Sequence, residues 1–321
     1  MAKVVVTGGA GFIGRPVVKY LLEKKHDVRV LDNLSKGKYI PVKNETLHKV
    51  DLLNTKKTAE YINGADIVIH MAAKIGGVGY LHKNSALILS ENANMLSSVF
   101  DGSVAGGVKR IVYISSSMVY ESATRFPSKE DDVLSIPLPK TSYGFSKLVG
   151  EIYCKAYFDQ YGLNYTVVRP FNAYGPGEMP AREVGLAHVI PDFLQKIYSG
   201  QYPVEVLGNG KQVRCFTHVD DIARGIVVAM NHKNSKNQAF NIADQSPLTV
   251  DELLRLLWKV SGMDKPLKIV HKKGLEADVQ KRIPDVSKAR KLLGWKPSLT
   301  LEEGLTDLVA WFKQNYKTNP S

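Results

Sequence analysis

Residues 4–14 read VVVTGGAGFIG. Lys3–Thr7 is a short valine-rich run typical of a buried parallel strand, and Gly8, Gly11 and Gly14 follow it before a helical pattern begins. Glycine allows a tight turn and lets backbone N–H groups approach phosphate oxygens, and a helix N-terminus adds a partial positive charge. The stretch therefore predicts a strand–turn–helix unit that holds the pyrophosphate of a dinucleotide.

A carboxylate follows the second predicted strand. The run Val28–Leu31 ends at Asp32, where a side chain accepts hydrogen bonds from an adenosine ribose. This position favours NAD over NADP. No arginine follows Asp32 directly, but Lys36 and Lys38 lie close enough to leave some NADP binding open.

Composition limits the class of protein. The chain has 321 residues, of which 44% are hydrophobic, enough for one large or two modest domains. Its two cysteines, Cys154 and Cys215, have neither metal-site spacing nor a disulfide framework, so we expect no metal and a reducing, cytoplasmic compartment. With no signal-peptide pattern and no run of about 18 apolar residues, we expect no membrane partner.

The formal net charge is +12. Such a charge suits either nucleic-acid binding or attraction of an anionic small molecule. The lysines are scattered and form no known nucleic-acid motif, so we favour an anionic substrate and expect no nucleic-acid partner.

Strand and helix signals alternate through residue 169, which predicts an α/β fold of the Rossmann type, with a doubly wound parallel sheet. The predicted strands are 3–7, 28–31, 47–50, 66–70, 110–115 and 166–169. Ligands of such sheets bind at the carboxyl ends of the strands. We therefore expect Gly8, Asp32, His70 and Ser115–Ser117 to line one crevice.

The rhythm changes after residue 170, where prolines and glycines crowd a loop-rich stretch and helical signals then dominate. We expect two domains. Residues 1–169 with 215–243 form an NAD-binding Rossmann domain, and residues 170–214 with 244–321 form a smaller, mostly helical substrate lobe. The lobe is expected to close over the edge of the sheet.

Residues 143–147 read YGFSK. Tyr143 and Lys147 are four residues apart, so they share one face of a helix. A free phenol has a pKa of about 10 and is a poor base at neutral pH. A nearby ammonium and a positive nicotinamide ring both favour the phenolate, which can take a proton from a sugar hydroxyl while hydride leaves the same carbon.

The order of the motifs resembles the extended short-chain dehydrogenases/reductases, in particular the NAD-dependent nucleotide-sugar epimerase/dehydratase family. The resemblance spans essentially the whole chain. It rests on TGGAGFIG, DNLSKG (32–37), HMAAK (70–74), ISSSMVY (114–120), YGFSK, RPFNAYGP (169–176), HVIPDF (188–193), RCFTHVDD (214–221) and RIPDVSKARKLLGW (282–295).

The resemblance implies roles for individual residues. The catalytic set is Ser116, Tyr143 and Lys147. The substrate-binding set adds Ser117, Asn172, Arg214 and Arg282, with the two arginines clamping a diphosphate. The cofactor-binding set is Gly8, Gly11, Phe12, Ile13, Gly14, Asp32, Asn33, Asp51, Leu52, Ala72, Ala73 and Lys74, together with Tyr143 and Lys147.

Two departures from the family pattern narrow the range of reactions that the resemblance implies. Dehydratases and decarboxylases of the family carry acidic residues just after the catalytic Ser/Thr, where this chain has Ser117 and Met118. The segment AAKIGGVGY (72–80) resembles GDP-mannose 3,5-epimerases and GDP-fucose synthases, but those relatives have a working cysteine where Met118 stands. That chemistry would need His188, Arg182 or Glu178 as a replacement.

The resemblance therefore implies an NAD-dependent epimerase of a nucleotide-diphosphate sugar, and we expect inversion at C4, as in UDP-glucose/galactose epimerases, through a transient 4-keto sugar. A 3,5-epimerase or reductase of a GDP-sugar, and a non-catalytic nucleotide-sugar sensor, stay open. The family also commonly pairs through two helices per subunit, here near 85–105 and 143–161, so we expect a homodimer. Apolar residues at helical spacing in the first of these are Leu87, Leu89, Met95, Leu96, Val99 and Phe100.

Overall fold

A central parallel sheet dominates the computed structural model, which describes residues 1–35, 41–76, 80, 83–178, 180, 188–274 and 279–316. Seven strands lie in the order β11-β6-β5-β4-β1-β2-β3. Their bounds are β1 Lys3–Thr7, β2 Asp27–Asp32, β3 Thr46–Lys49, β4 Ile67–His70, β5 Arg110–Ile114, β6 Asn164–Pro170 and β11 Gln238–Ile242. The doubly wound α/β prediction is confirmed.

Helices cover both faces of this sheet. Their bounds are α1 Gly14–Glu23, α2 Thr55–Ile62, α3 Ser85–Ala105, α4 Ser142–Tyr161, α5 Val189–Tyr198, α6 Val219–Asn231, α7 Val250–Val260, α8 Ser287–Leu293 and α9 Leu301–Asn315. One apolar core lies between the sheet and α1, α6 and α8. A second lies under α2, α3 and α4. Because both faces are covered, the inner strands β1, β4 and β5 are mainly apolar, which explains the valine runs in the sequence.

Strand β1 pairs with β2 on one side and with β4 on the other. The strand order reverses at this point, and in sheets of this class ligands bind outside the carboxyl ends of the strands there. Thr7, Asp32 and His70 are the last residues of β1, β2 and β4. The topology therefore brings the glycine turn, the acidic residue and the HMAA segment to one place.

The remainder of the described chain includes the expected helical C-terminal region, and it also contains short strands. These strands are β7 Ala173–Tyr174, β8 Val204–Leu207, β9 Val213–Cys215, β10 Thr217–His218, β12 Pro247–Thr249, β13 Ile269–Lys272 and β14 Lys281–Arg282. They form three small sheets, β10-β7, β12-β9-β14 and β13-β8. A third core joins them to α5, α7 and α9 through side chains such as Phe193, Leu254 and Phe312.

Trp295 ties the late part of the chain to the first core. Its side chain is 1% exposed and lies among buried residues of α1, α6 and the central sheet. The indole N–H donates to the Asp221 carbonyl at 3.3 Å. A Cβ at Gly225 would lie 3.0 Å from the indole nitrogen, so α6 leaves room for this ring.

None of the helices in the described ranges has the length and apolarity needed to cross a bilayer. Within the same ranges, His, Cys, Asp and Glu side chains form no group of three that could hold a metal. Cys154 and Cys215 are both buried free thiols.

Candidate active site

The glycine turn after β1 is closely packed. Gly8 has φ +70°, and a Cβ there would lie 2.8 Å from the Ala72 backbone. A Cβ on Gly14 would lie 2.3 Å from the Gly8 carbonyl oxygen. Gly11 donates its N–H to that same carbonyl at 3.1 Å. No side chain caps α1, so this cradle and helix start fit the pyrophosphate of a dinucleotide.

The Asp32 carboxylate stabilises the glycine turn by accepting hydrogen bonds from backbone N–H groups. It accepts from the Ala10 N–H at 3.1 Å and from the Leu34 N–H at 2.8 Å. Asn33 accepts from the Ser35 N–H at 3.1 Å. Lys36 and Lys38 lie outside the described residues. Asp32 lies at the carboxyl end of β2. This position fits a carboxylate that binds the adenosine ribose of NAD.

The other residues predicted to bind the cofactor differ from one another in their surroundings. Phe12 lies beside Gly177, where a Cβ would approach the phenyl ring at 3.7 Å, and Ile13 packs against the first core. Asp51 accepts from the Leu53 N–H at 3.0 Å. Leu52 is 4% exposed in the second core, so its backbone rather than its side chain can face a ligand.

The segment Ala72–Lys74 is held from two sides. The Thr7 hydroxyl accepts from the Ala72 N–H at 3.4 Å. The Asn92 amide oxygen accepts from the Lys74 N–H at 2.7 Å, and the same amide donates to the Ser146 hydroxyl at 3.0 Å. Asn92 thus joins the cofactor side of the crevice to α4. Sequence reasoning missed it because it lies inside an apolar helical pattern.

Tyr143 and Lys147 lie on the first turns of α4 and are both buried. The Lys147 ammonium donates to the Ile114 carbonyl at 2.7 Å and lies 5.8 Å from the centroid of the Tyr143 ring. Burial raises the pKa of Tyr143 to about 12, although a hydrogen bond from Ser116 and the charge of Arg282 oppose the rise. Burial lowers the pKa of Lys147 to about 7 against the opposing charge of Glu151.

His70, at the end of β4, is buried and neutral. Its Nδ1 lies 2.7 Å from the Thr7 hydroxyl oxygen. Burial, and then the charge of Lys147, lower the pKa of His70 to about 3. The imidazole therefore acts as a hydrogen-bonding group under Ala72 rather than as a cation.

The three serines after β5 have different surroundings. Ser115 donates to the Glu151 carboxylate at 2.5 Å. Ser116 faces Tyr143 and caps the 3-10 turn Ser117–Tyr120, accepting from the Met118 N–H at 3.1 Å. Ser117 accepts from Arg282 at 3.3 Å. Ser116 and Ser117 thus lie with the predicted site residues, whereas Ser115 belongs to a structural network.

That network lies beneath the site. Glu151 forms an ion pair with Arg169 at 2.6 Å, and both side chains are buried. Arg169 also donates to the Tyr120 hydroxyl at 2.5 Å. Tyr120 in turn donates to Asn241 at 2.9 Å. Buried polar groups of this kind are stable only when each has a partner.

The predicted anion-binding residues meet at one edge. Parallel pairing of β9 and β14 sets Arg214 directly opposite Arg282. Arg282 donates to the Asn172 amide oxygen at 3.2 Å. Asn172, held at φ +35°, donates to the Cys215 carbonyl at 2.7 Å. Asn172 and the two arginines, far apart in the sequence, therefore lie near one another at this edge.

The ring Nδ1 of His188 contacts the Glu178 carboxylate. His188 is the residue before α5, and Glu178 follows the Pro176–Gly177 turn. Arg182 and most of the 178–188 loop lie outside the described residues.

Residues 4–243 match the family model described as the NAD-dependent epimerase/dehydratase family. The chain belongs to this family. Within it, a putative UDP-glucose 4-epimerase of Methanocaldococcus jannaschii is 33% identical, over 98% of this chain and all of that protein. A GDP-mannose 3,5-epimerase 1 of Oryza sativa subsp. japonica is 28% identical, over 97% of this chain and 82% of that protein.

A solved UDP-glucose 4-epimerase of Thermotoga maritima with UDP-glucose superposes with a TM-score of 0.88. It is 33% identical, and the match covers 97% of this chain and 99% of that one. Family members of this kind depend on NAD, and the glycine cradle described above fits that cofactor. The chain is thus an NAD-dependent nucleotide-sugar epimerase.

Proposed function

We propose that the enzyme inverts C4 of a UDP-hexose of the glucose/galactose type through a transient 4-keto sugar. The observation that carries the proposal is the set Ser116, Tyr143 and Lys147, which faces the crevice beside the glycine cradle. Ser117 and Met118 follow Ser116, so this stretch lacks the carboxylate that dehydration or decarboxylation uses. The named 4-epimerase relatives support the same reaction.

Tyr143 is the proton-transferring group of this proposal. In the protein by itself, burial keeps the phenol neutral at pH 7, with a pKa of about 12. A positive ring beside the phenol lowers that pKa, and the Lys147 ammonium acts in the same direction. The Tyr143 oxygen then takes the proton of the C4 hydroxyl and later returns it, while Ser116 donates a hydrogen bond to the same sugar oxygen.

The cofactor, when bound, would supply a reversible acceptor for the C4 hydride. Gly8, Gly11 and Gly14 would hold its pyrophosphate, Asp32 its ribose, and Tyr143 and Lys147 its nicotinamide end. The sugar can turn because its tightest anchor is the diphosphate, held by Arg214, Arg282 and Asn172.

The proposal includes the division of labour between two domains. Residues 1–169 with 215–243 would bind NAD, and residues 170–214 with 244–321 would bind the nucleotide sugar. Two features support this division. The central sheet lies within the proposed NAD-binding domain, and strands β9 and β14, which carry the two arginines, lie at the boundary of the proposed substrate domain or inside it.

A second candidate is 3,5-epimerisation of a GDP-sugar. The contact between His188 and Glu178 favours it, because that pair could move a proton where Met118 cannot. The similarity to a GDP-mannose 3,5-epimerase agrees with this alternative.

The test is product analysis with a panel of UDP-, GDP- and dTDP-sugars, first with the parent and then with Tyr143→Phe. We expect C4 epimers from UDP-hexoses, and a loss of at least about a hundredfold in the variant, the usual scale for general acid–base catalysis. NAD and substrate affinity should change little. Near-normal turnover by Tyr143→Phe would contradict the mechanism. Conversion only of GDP-sugars at C3 or C5 would support the second candidate, and binding without conversion would support a sensor.

A further inference from the structure

Two surface helices begin with a complete capping box. In α7, Thr249 is the N-cap residue, and Glu252 accepts from its N–H at 2.7 Å and from its hydroxyl at 2.8 Å. In α9, Thr300 and Glu303 repeat the arrangement, at 2.8 Å and 2.6 Å. In both, the carboxylate comes from the third helical residue.

The catalytic helix α4 also begins at a threonine but has no carboxylate at that position. Thr141 is the N-cap residue, and its hydroxyl accepts from the Gly144 N–H at 3.1 Å. Gly144 is the third helical residue. A Cβ there would lie 2.8 Å from the Met118 carbonyl oxygen. The close approach of α4 to the 3-10 turn Ser117–Tyr120 thus prevents a glutamate at 144.

Glu121 fills the missing role from outside the helix. One of its carboxylate oxygens accepts from the Thr141 N–H at 2.9 Å and from the Thr141 hydroxyl at 2.9 Å. These are the two contacts that Glu252 makes to Thr249. Unlike Glu252, Glu121 is only 9% exposed. It is also the residue that ends the 3-10 turn capped by Ser116.

We propose that Glu121 is a positioning residue that sets the catalytic Ser116 against Tyr143 by completing the capping box of α4. Ser116 lies at one end of the short turn and Glu121 at the other. Thr141 lies two residues before Tyr143. The Glu121–Thr141 link therefore ties the turn that begins after Ser116 to the first turn of α4, which carries Tyr143.

The Glu121–Thr141 link is suited to fixing the position of the catalytic groups, and not only to stabilising the helix. A buried carboxylate at a helix N-terminus interacts favourably with the helix dipole, and solvent screens this interaction less than at the surface. The other Glu121 oxygen is buried without a hydrogen-bond partner in the described part of the chain. The hydrogen bonds of the Glu121 carboxylate are thus made to Thr141.

The first experiment compares Glu121→Ala with Glu252→Ala, which removes the same two hydrogen bonds from α7, a helix that carries none of the predicted catalytic residues. We expect Glu121→Ala to lower kcat by about tenfold or more, because misplacement by about 1 Å costs up to about a hundredfold. KM should stay within about threefold, since the diphosphate anchors are untouched. Glu252→Ala should leave kcat unchanged. Glu121→Gln keeps an acceptor oxygen for Thr141 and should recover most of the rate.

The activity comparison rests on the proposed function, so a second measurement is independent of it. Hydrogen exchange on the NAD-free protein should become faster in Glu121→Ala for both 116–121 and 141–147, and should stay as in the parent in Glu252→Ala. If the parent converts no sugar, the proposed function fails while exchange still decides the link. Unchanged exchange in both segments, an unchanged kcat in Glu121→Ala, or an equal loss in Glu252→Ala would overturn the inference.

Discussion

At the residue scale, the buried position of Lys147 disfavours the charged form of its side chain. Its pKa falls from 10.5 to about 7 because it is buried. Between those values the unfolded chain binds a proton that the folded protein lacks, so stability from this group rises with pH across the window and is lowest below pH 7. Sites that need such a group accept lower stability in return for function.

Lys147→Met should therefore abolish turnover yet gain stability relative to the parent, and the gain should be largest at about pH 6 and shrink toward pH 9. Denaturant unfolding of the NAD-free proteins at the two pH values measures it. Lys56→Met, on the exposed side of α2, is the control and should show no such trend. A gain for Lys147→Met that grows with pH would contradict the assignment.

Asp32 is predicted to set the choice of cofactor. Asp32→Asn keeps one oxygen acceptor, for the N–H of either Ala10 or Leu34, which bind different oxygens of Asp32, and it removes the charge that repels a 2′-phosphate. We expect the preference for NAD over NADP to fall by about fivefold to tenfold, since one charge pair near a surface contributes ~1 kcal/mol or more. Titration of both cofactors measures it. Tighter NADP than NAD binding by the parent would refute the prediction.

At the element scale, six strands of the central sheet could be predicted because each is a short, mainly apolar run with a turn signal after it. Strands β9 and β14 could not, since Val213–Cys215 and Lys281–Arg282 are too short to show a period and pair across about 70 residues of chain. The same limit applies to the site. Tyr143, Lys147 and the glycines belong to local motifs, whereas Glu121 and Asn92 gain their roles only through partners distant in sequence.

The pairing of β9 with β14 sets the two arginines opposite each other, and we predict that they bind one ligand. Arg282→Ala should weaken binding of a nucleoside diphosphate by about 1.5–3 kcal/mol, the range for hydrogen bonds to charged groups. NAD binding should not change, because its pyrophosphate would lie on Gly8–Gly14. Calorimetry with each ligand measures both, and Lys281→Ala, the exposed neighbour, is the control. Loss of NAD affinity in Arg282→Ala would show that the substrate lobe is wrongly assigned.

At the scale of the whole molecule, α3 and α4 present apolar side chains to solvent. Leu87, Leu89 and Ile152 are 43%, 37% and 58% exposed. We predict a two-fold symmetric dimer through these helices. Sedimentation at micromolar concentration should give twice the monomer mass, and Ile152→Glu should shift the protein toward monomer. Leu134→Glu, at an exposed leucine outside these two helices, should not. A monomer mass for the parent would refute the dimer.

The burial of Trp295 in the first core has a consequence for the order in which the protein is made. A ribosome releases the seven sheet strands, the last ending at Ile242, well before residue 295. Until then the space over Gly225 stays unfilled, and the apolar side chains of α6 around it are open to water or to a chaperone. A nascent chain halted between these two points would hold a finished sheet with an unfinished core, so its maturation depends on an indole supplied some fifty residues later.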